Sequence, residues 1–316
     1  MLDKTILITG ATGSFGYAMV TKLLQHEPKK IIVYSRDEHK QVKMERSFGR
    51  GIIRYFIGDV RDEKRLERAF EGVDYVIHAA AMKHVHIGEY NPFEVTQTNI
   101  VGAQNVINAA LNCGVKKVLA ISSDKAVNPS NIYGASKLCS EKLFISGNNY
   151  SGKEGTKFAA IRFGNFIGSR GSIFDLLYSD IDTFPITDIR MTRFWVNLNC
   201  AAKYTFHALE ASFGGEIFIP KIHACLLYSI VKYLKPDVDI YEVGIRPGEK
   251  LHEEMLSEWE VSKTWELKDF YVIFNSDGTG ARVPDGFRYA SFMRQYHRSP
   301  QEILQDGDSK ASNDSS

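Results

Sequence analysis

Hydrophobic and polar positions along the chain alternate between two rhythms. Short runs rich in β-branched and aliphatic residues occupy 5–9, 30–34, 52–57, 73–78, 115–121 and 157–163, and segments with helically spaced apolar residues separate them. Continuous apolar runs mark strands buried on both faces, and the intervening segments are long enough for crossover helices. The pattern predicts an α/β fold, a doubly wound parallel sheet over residues 1–165. Beyond Phe163 the rhythm weakens into the glycine-rich stretch 164–171 and then shorter elements, among them 216–219 and 239–243. Residues 166–298 are assigned mainly to a smaller substrate-side lobe, partly interleaved with the first domain. The segment 299–316 is polar and lacks aromatic residues, and it is expected to be disordered.

Composition narrows the classes of partner. The 316 residues are 44% hydrophobic and 24% charged, the balance of a soluble globular protein. With 39 basic against 38 acidic side chains there is no cationic excess to bind nucleic acid or an anionic membrane, which leaves a small ligand. Cys113, Cys139, Cys200 and Cys225 have neither zinc-ribbon nor CxxC spacing. They predict free thiols, no metal and a reducing compartment. With no signal-like or membrane-spanning apolar run, a cytoplasmic location is expected.

Directly after the first strand stands Thr9-Gly10-Ala11-Thr12-Gly13-Ser14-Phe15-Gly16, followed by the helical pattern 17–25. Glycines at 10, 13 and 16 permit a tight turn, a close approach to a pyrophosphate and close helix packing, so a dinucleotide fits here with Thr12, Ser14 and Phe15 beside it. At the end of the second strand Ser35-Arg36 replaces the usual acid, and an arginine can pair with a 2′-phosphate, which points to NADP rather than NAD. Asp37 is either a ribose-binding acid or a helix cap. Asp59-Val60 is placed either to meet the adenine or to cap the next helix.

After the fifth strand the chain reads Ser122-Ser123-Asp124-Lys125, and Tyr133 and Lys137 follow with helical i,i+4 spacing. On one helix face the Lys137 ammonium is expected to lower the Tyr133 phenol from its usual pKa of ~10 toward useful base strength.

These blocks resemble the extended short-chain dehydrogenase/reductases, and among them the inverting UDP-N-acetylglucosamine 4,6-dehydratases of pseudaminic acid biosynthesis. The resemblance rests on Ala79-Ala80-Ala81-Met82-Lys83-His84-Val85, Glu89-Tyr90-Asn91-Pro92, Ser122 to Pro129, Met191-Thr192-Arg193-Phe194-Trp195 and Arg246-Pro247-Gly248-Glu249-Lys250. It implies a tightly held NADP, a UDP-sugar substrate and a homo-oligomer. It also implies that Tyr133, with Ser123 and Lys137, removes the 4-hydroxyl proton, that Lys125 takes the carbon-5 proton and that Asp124 protonates the departing 6-hydroxyl. For Lys125 to serve as that base its pKa must fall.

The resemblance further places Ala79, Ala80, Lys83 and Asn99 near the cofactor. It places His84 and Asn165 near the sugar or its diphosphate, and Arg246 and Glu249 at the nucleotide end. Lys83 and His84 are alternatively a charged helix start. Arg193 is either part of the diphosphate clamp or structural. His84 and His86 lack a third ligand, and His252-Glu253-Glu254-Met255-Leu256 lacks the second histidine of a zinc helix, so no metal is expected. Three alternatives stay open: a retaining 4,6-dehydratase, a nucleotide-sugar 4-epimerase and a non-catalytic dinucleotide sensor.

Overall fold

Strand β1 (Thr5–Thr9) is buried along its whole length, as a strand covered on both faces must be. In the computed structural model, which describes residues 1–274 and 280–305, it lies inside the large sheet with a parallel neighbour on each side. Around it lie β2 (Lys30–Ser35), β3 (Ile53–Ile57), β4 (Tyr75–His78), β5 (Lys117–Ser123) and β6 (Lys157–Phe163), in the spatial order 3-2-1-4-5-6 and all parallel. Ile6 pairs with Ile31 on one side and with Tyr75 on the other. The order reverses between β1 and β4, so their carboxyl ends open a crevice, the usual ligand site of such sheets.

The crossovers are α1 (Ser14–Leu24), α2 (Glu38–Phe48), α3 (Glu63–Phe70), α4 (Val85–Tyr90), α5 (Pro92–Thr96), α6 (Gly102–Asn112) and α7 (Ile132–Ser151), with a π-helical turn at Gln97–Val101. Local chemistry starts several of them. Asp37 accepts from the Lys40 amide, Asp62 from Arg65 and Asn131 from Gly134, each satisfying an amide that the helix leaves free. Asp37 is therefore the cap of α2. Asp62, not Asp59, caps α3.

The later residues complete the sheet and build beyond it. Strand Ile217–Pro220 adds parallel to β6, and Phe270–Ile273, Thr264–Glu266 and Ala281–Arg282 continue antiparallel to make ten strands. Three strands, Asn165–Ile167, Thr192–Asn197 and His223–Leu226, form a small sheet, and Thr183–Ile186 pairs with Asp239–Glu242. This side has its own apolar cluster, centred on Phe174, Phe184, Trp195 and Ile230.

An ionic pin joins the layers. Arg162 of β6 is fully buried and forks onto Glu141 of α7 at 2.6 and 3.0 Å, and onto Glu260 at the same two distances. Its Nη1 also donates to the Met255 carbonyl.

The start of the tail departs from the sequence expectation. Residues Pro300–Gln305 form a helix, because Ser299 and Glu302 cap each other and Ile303 buries itself in the second cluster. Residues 306–316, the rest of the segment expected to be disordered, lie outside the described residues. Among the described residues no helix is long and apolar enough to cross a membrane.

Candidate active site

The cradle is made by backbone proximity. Gly10 has φ +68°, and a Cβ there would stand 2.8 Å from the Ala80 nitrogen across the crevice. A Cβ on Gly16 would lie 2.3 Å from the Ala11 carbonyl oxygen, so only glycine lets α1 approach β1 this closely. Gly13 stands at the cap of α1 with no side chain to occupy the first amides, which is the form a phosphate-binding turn requires. Thr9 Oγ1 accepts from the Ala79 and Ala80 amides and meets His78 Nδ1 at 2.8 Å, fixing the opposite wall. Phe15 is buried and stacks on Phe166.

At the nucleotide end Ser35 is buried and accepts from Gln41 Nε2, while the Arg36 side chain is exposed 3.5 Å from Asp59. Asp59 also binds Arg61 through its backbone amide and its guanidinium. Val60 is buried behind it and accepts from Asn105. Two cations thus flank the Asp59 carboxylate, one of them the Arg36 that the sequence places at the ribose.

Asn99 sits in the π-helical turn and spends its amide on protein. It accepts from Met82 N and donates to Met82 O and to Ser136 Oγ, tying the loop after β4 to α7. Its place is behind that loop. Lys83 donates to the Arg170 carbonyl, and the His84 ring packs on Gly171. Arg170, which the sequence did not single out, reaches the cradle itself: its amide donates to Ser14 Oγ and its guanidinium to the Thr12 carbonyl. The glycine-rich stretch after β6 therefore lies across the cradle mouth.

Next to the crevice, the end of β5 and the start of α7 converge. Ser123 Oγ donates to Asp124 Oδ1 at 2.9 Å, and Lys125 Nζ meets the same oxygen at 3.0 Å and Asn165 Oδ1 at 3.1 Å. Asp124 is fully buried, and its Oδ2 has no hydrogen-bond partner. Lys137 is buried too and donates to the Ile121 carbonyl at 2.5 Å.

Two protonation expectations are corrected here. Burial pushes the Lys125 ammonium down, but Asp124 and Glu253 beside it outweigh that and hold its pKa above the ordinary value. Lys125 is thus a firmly protonated cation instead of a lysine poised to lose its charge. Tyr133 is raised by burial, and what opposes the rise is the Lys125 charge and the Ser123 hydrogen bond. The cation acting on the phenol is accordingly Lys125, whereas Lys137 itself is pushed down to about 8 by burial, with Glu141 opposing.

Sequence reasoning did not assign Glu253, yet its Oε1 stands 3.6 Å from Lys125 Nζ. Its sign in the sequence is the His252-Glu253 block, which resembles the start of a zinc helix. Arg193 proves to be a brace: its guanidinium donates to the carbonyls of Thr192, Lys250 and Leu251. The loop it holds is stapled to the segment before Tyr133, since Ser130 and Asn131 donate to Gly248 O and Lys250 to Val127 O. Glu249 accepts from Thr187, and Arg246 lies on the exposed approach to this loop.

A family model described as polysaccharide biosynthesis protein matches residues 6–275. The chain is 48% identical to a protein named UDP-N-acetylglucosamine 4,6-dehydratase (inverting) from Campylobacter jejuni, over 96% of both chains. It is 39% identical to a UDP-glucose 4-epimerase from Rickettsia massiliae, over 86% of this chain and 83% of that one. Among solved structures, Pen from Bacillus thuringiensis superposes with a TM-score of 0.89 at 39% identity, covering 96% of this chain and 97% of that one. DesIV from Streptomyces venezuelae, a dTDP-glucose 4,6-dehydratase solved with NAD and TYD bound, shares the fold with a TM-score of 0.72 at 22% identity, covering 78% and 86%. Fold, cradle and sequence agree, and the chain belongs to the polysaccharide biosynthesis protein family.

Proposed function

We propose that this protein removes water from UDP-N-acetylglucosamine, inverting carbon 5 to give the 2-acetamido-2,6-dideoxy-4-keto sugar of L-arabino configuration. The observation that carries the reading is the Asp124-Lys125 pair beside Tyr133 at the end of β5. A 4-epimerase moves a hydride at carbon 4 and needs no further acid and base. A dehydratase must also take the carbon-5 proton and help the 6-hydroxyl leave. The 48% identity to the Campylobacter jejuni dehydratase supports the same choice.

The cradle residues Gly10, Thr12, Gly13, Ser14 and Gly16, with Ala79 and Ala80 opposite, would hold a nicotinamide dinucleotide. When bound it supplies the hydride acceptor for carbon 4 and the donor for carbon 6. Tyr133, as the phenolate that the nearby Lys125 charge and the Ser123 hydroxyl favour, takes the 4-hydroxyl proton, and buried Lys137 holds the backbone beneath it at Ile121. Lys125 takes the proton that the 4-ketone has acidified at carbon 5, and Asp124 protonates the departing hydroxyl. Asn165 orients Lys125, and Arg246 and Glu249 face the nucleotide.

Ser35 and Arg36 favour NADP over NAD, because a 2′-phosphate would complete the arginine's pairing beside Asp59. The exposed apolar side chains Ile87, Tyr90 and Phe93 of α4 and α5 support self-association. The remaining assignments are a cytoplasmic location and a role in pseudaminic acid formation. The test of the activity is product NMR in heavy water. Inversion predicts loss of water and deuterium at carbon 5 in the L-arabino ring. A D-xylo product seen first would mean retention, and no loss of water would mean epimerisation.

A further inference from the structure

Glu253 is 2% exposed and lies in the acid–base cluster, with one carboxylate oxygen toward Lys125 and the other 3.5 Å from Lys250 Nζ. That second oxygen has no hydrogen-bond partner. The backbone behind it is fixed, since its amide donates to Ser291 Oγ at 2.8 Å and Ser291 Oγ meets Thr192 Oγ1 at 2.7 Å. A buried carboxylate left partly unsatisfied costs more than a well-packed apolar residue, so stability alone does not account for this placement.

An ammonium has three N–H groups and no lone pair. Lys125 Nζ is faced by three oxygens, Asp124 Oδ1 at 3.0 Å, Asn165 Oδ1 at 3.1 Å and Glu253 Oε1 at 3.6 Å. It cannot accept the carbon-5 proton until one of its own has left. Asn165 offers an amide oxygen, too weak a base to keep a proton, and Asp124, a carboxylate at rest, must already hold a proton of its own at this step in order to act as the acid for the leaving hydroxyl. Glu253 is the acceptor that remains.

We propose that Glu253 is the proton partner of Lys125, a role that rests on the dehydratase reading above. One N–H bond of Lys125 breaks and an O–H bond forms on Glu253. The amine lone pair then takes the carbon-5 proton, as the C–H electrons move into the enolate of the 4-ketone. Over a turnover the cluster gains two protons, from the 4-hydroxyl and from carbon 5, and returns two, to the departing water and to carbon 5. Asp124, Tyr133 and Arg193 also face Lys125, and Lys250 faces Glu253, and the transfer leaves the net charge of this set unchanged.

The experiment follows the two halves separately in the holoenzyme with UDP-N-acetylglucosamine in heavy water. Transient cofactor reduction reports oxidation at carbon 4, and NMR reports deuterium at carbon 5. Glu253→Gln is expected to keep oxidation within a few-fold, to slow carbon-5 exchange and dehydration by roughly 10²-fold or more, and to lose the limb of the exchange pH profile that the carboxylate sets. Exchange at the unmutated rate with an unmoved pH profile would overturn the proposal, as would equal losses in both halves. If the glutamine variant fails to fold, Glu253→Asp decides by the same comparison, because its carboxylate retreats from Lys125. If the unmutated enzyme neither deuterates carbon 5 nor loses water, it is the dehydratase reading that fails.

Discussion

The glycine cradle and the acid–base cluster sit at the same carboxyl edge of one sheet, yet they are made of different material. The cradle is backbone: Gly10, Gly13 and Gly16 work by what they lack, and the close approaches at Ala80 and Ala11 are set by strand and helix geometry. The cluster is side chain: Asp124, Lys125, Tyr133, Asn165 and Glu253 come from four separate stretches and are held by charge. The cradle is therefore specified within one short segment, whereas the cluster exists only once the later residues have docked.

The largest effect is expected where the two regions meet. Tyr133→Phe removes the group that starts oxidation, so turnover should fall by about 10²- to 10⁴-fold in a steady-state assay, with every later step lost as well. Wild-type turnover would place the oxidising base elsewhere.

Docking of the cluster depends on the Arg162 pin. Arg162→Ala leaves Glu141 buried without its cation, and breaking a buried pair in this way costs about 3–5 kcal/mol. Urea unfolding should show that loss, and carbon-5 exchange should suffer more than cofactor binding. A variant as stable as the parent would show that the layers are joined by other contacts.

Lys137 gives a smaller, pH-dependent effect. Burial pushes its folded pKa down to about 8, below the ~10.4 of an unfolded lysine. Between those values the unfolded chain binds more protons than the folded one, so this group's contribution to stability rises with pH across that window and is flat below it. Relative to Lys137→Met, the parent should gain at most a few kcal/mol between about pH 8 and 10.4 in denaturant titrations. A constant difference across that window would mean that the ammonium is not desolvated.

The smallest effect belongs to the outer rim of the cradle. Arg36 is exposed, so if it pairs with a 2′-phosphate as proposed, Arg36→Ala should weaken NADP binding by about tenfold in calorimetry, with little change in NAD affinity. Equal loss for both cofactors would remove the 2′-phosphate from the account.

The same contrast explains what could be read in the sequence. Strand β1 and the Phe158–Ile161 stretch of β6 are apolar runs, and the cradle is a local motif between a strand and a helix, so pattern suffices for both. The helix Pro300–Gln305 also has a local signal, Ser299 followed by Pro300 and Glu302, but the polar composition around it masks that signal. Arg162, Glu141 and Glu260 give no local sign of meeting. Arg193 has the same identity whether it clamps a phosphate or braces a loop, and only the three carbonyls around it decide. The charge on Lys125 is hidden from the sequence for a similar reason, because Glu253, which helps to hold it, comes from a distant stretch of chain.

The central claim is that oxidation and elimination have different proton acceptors, Tyr133 with Ser123 for the first and Lys125 with its carboxylates for the second, although the Lys125 charge also eases the ionisation of Tyr133. The most direct measurement is a single turnover of Lys125→Ala holoenzyme with UDP-N-acetylglucosamine, following cofactor reduction and release of water together. The account predicts that the cofactor is reduced and the 4-keto sugar accumulates while water release falls by roughly 10²-fold or more. Water release at near the unmutated rate, or loss of cofactor reduction to the same degree, would contradict it.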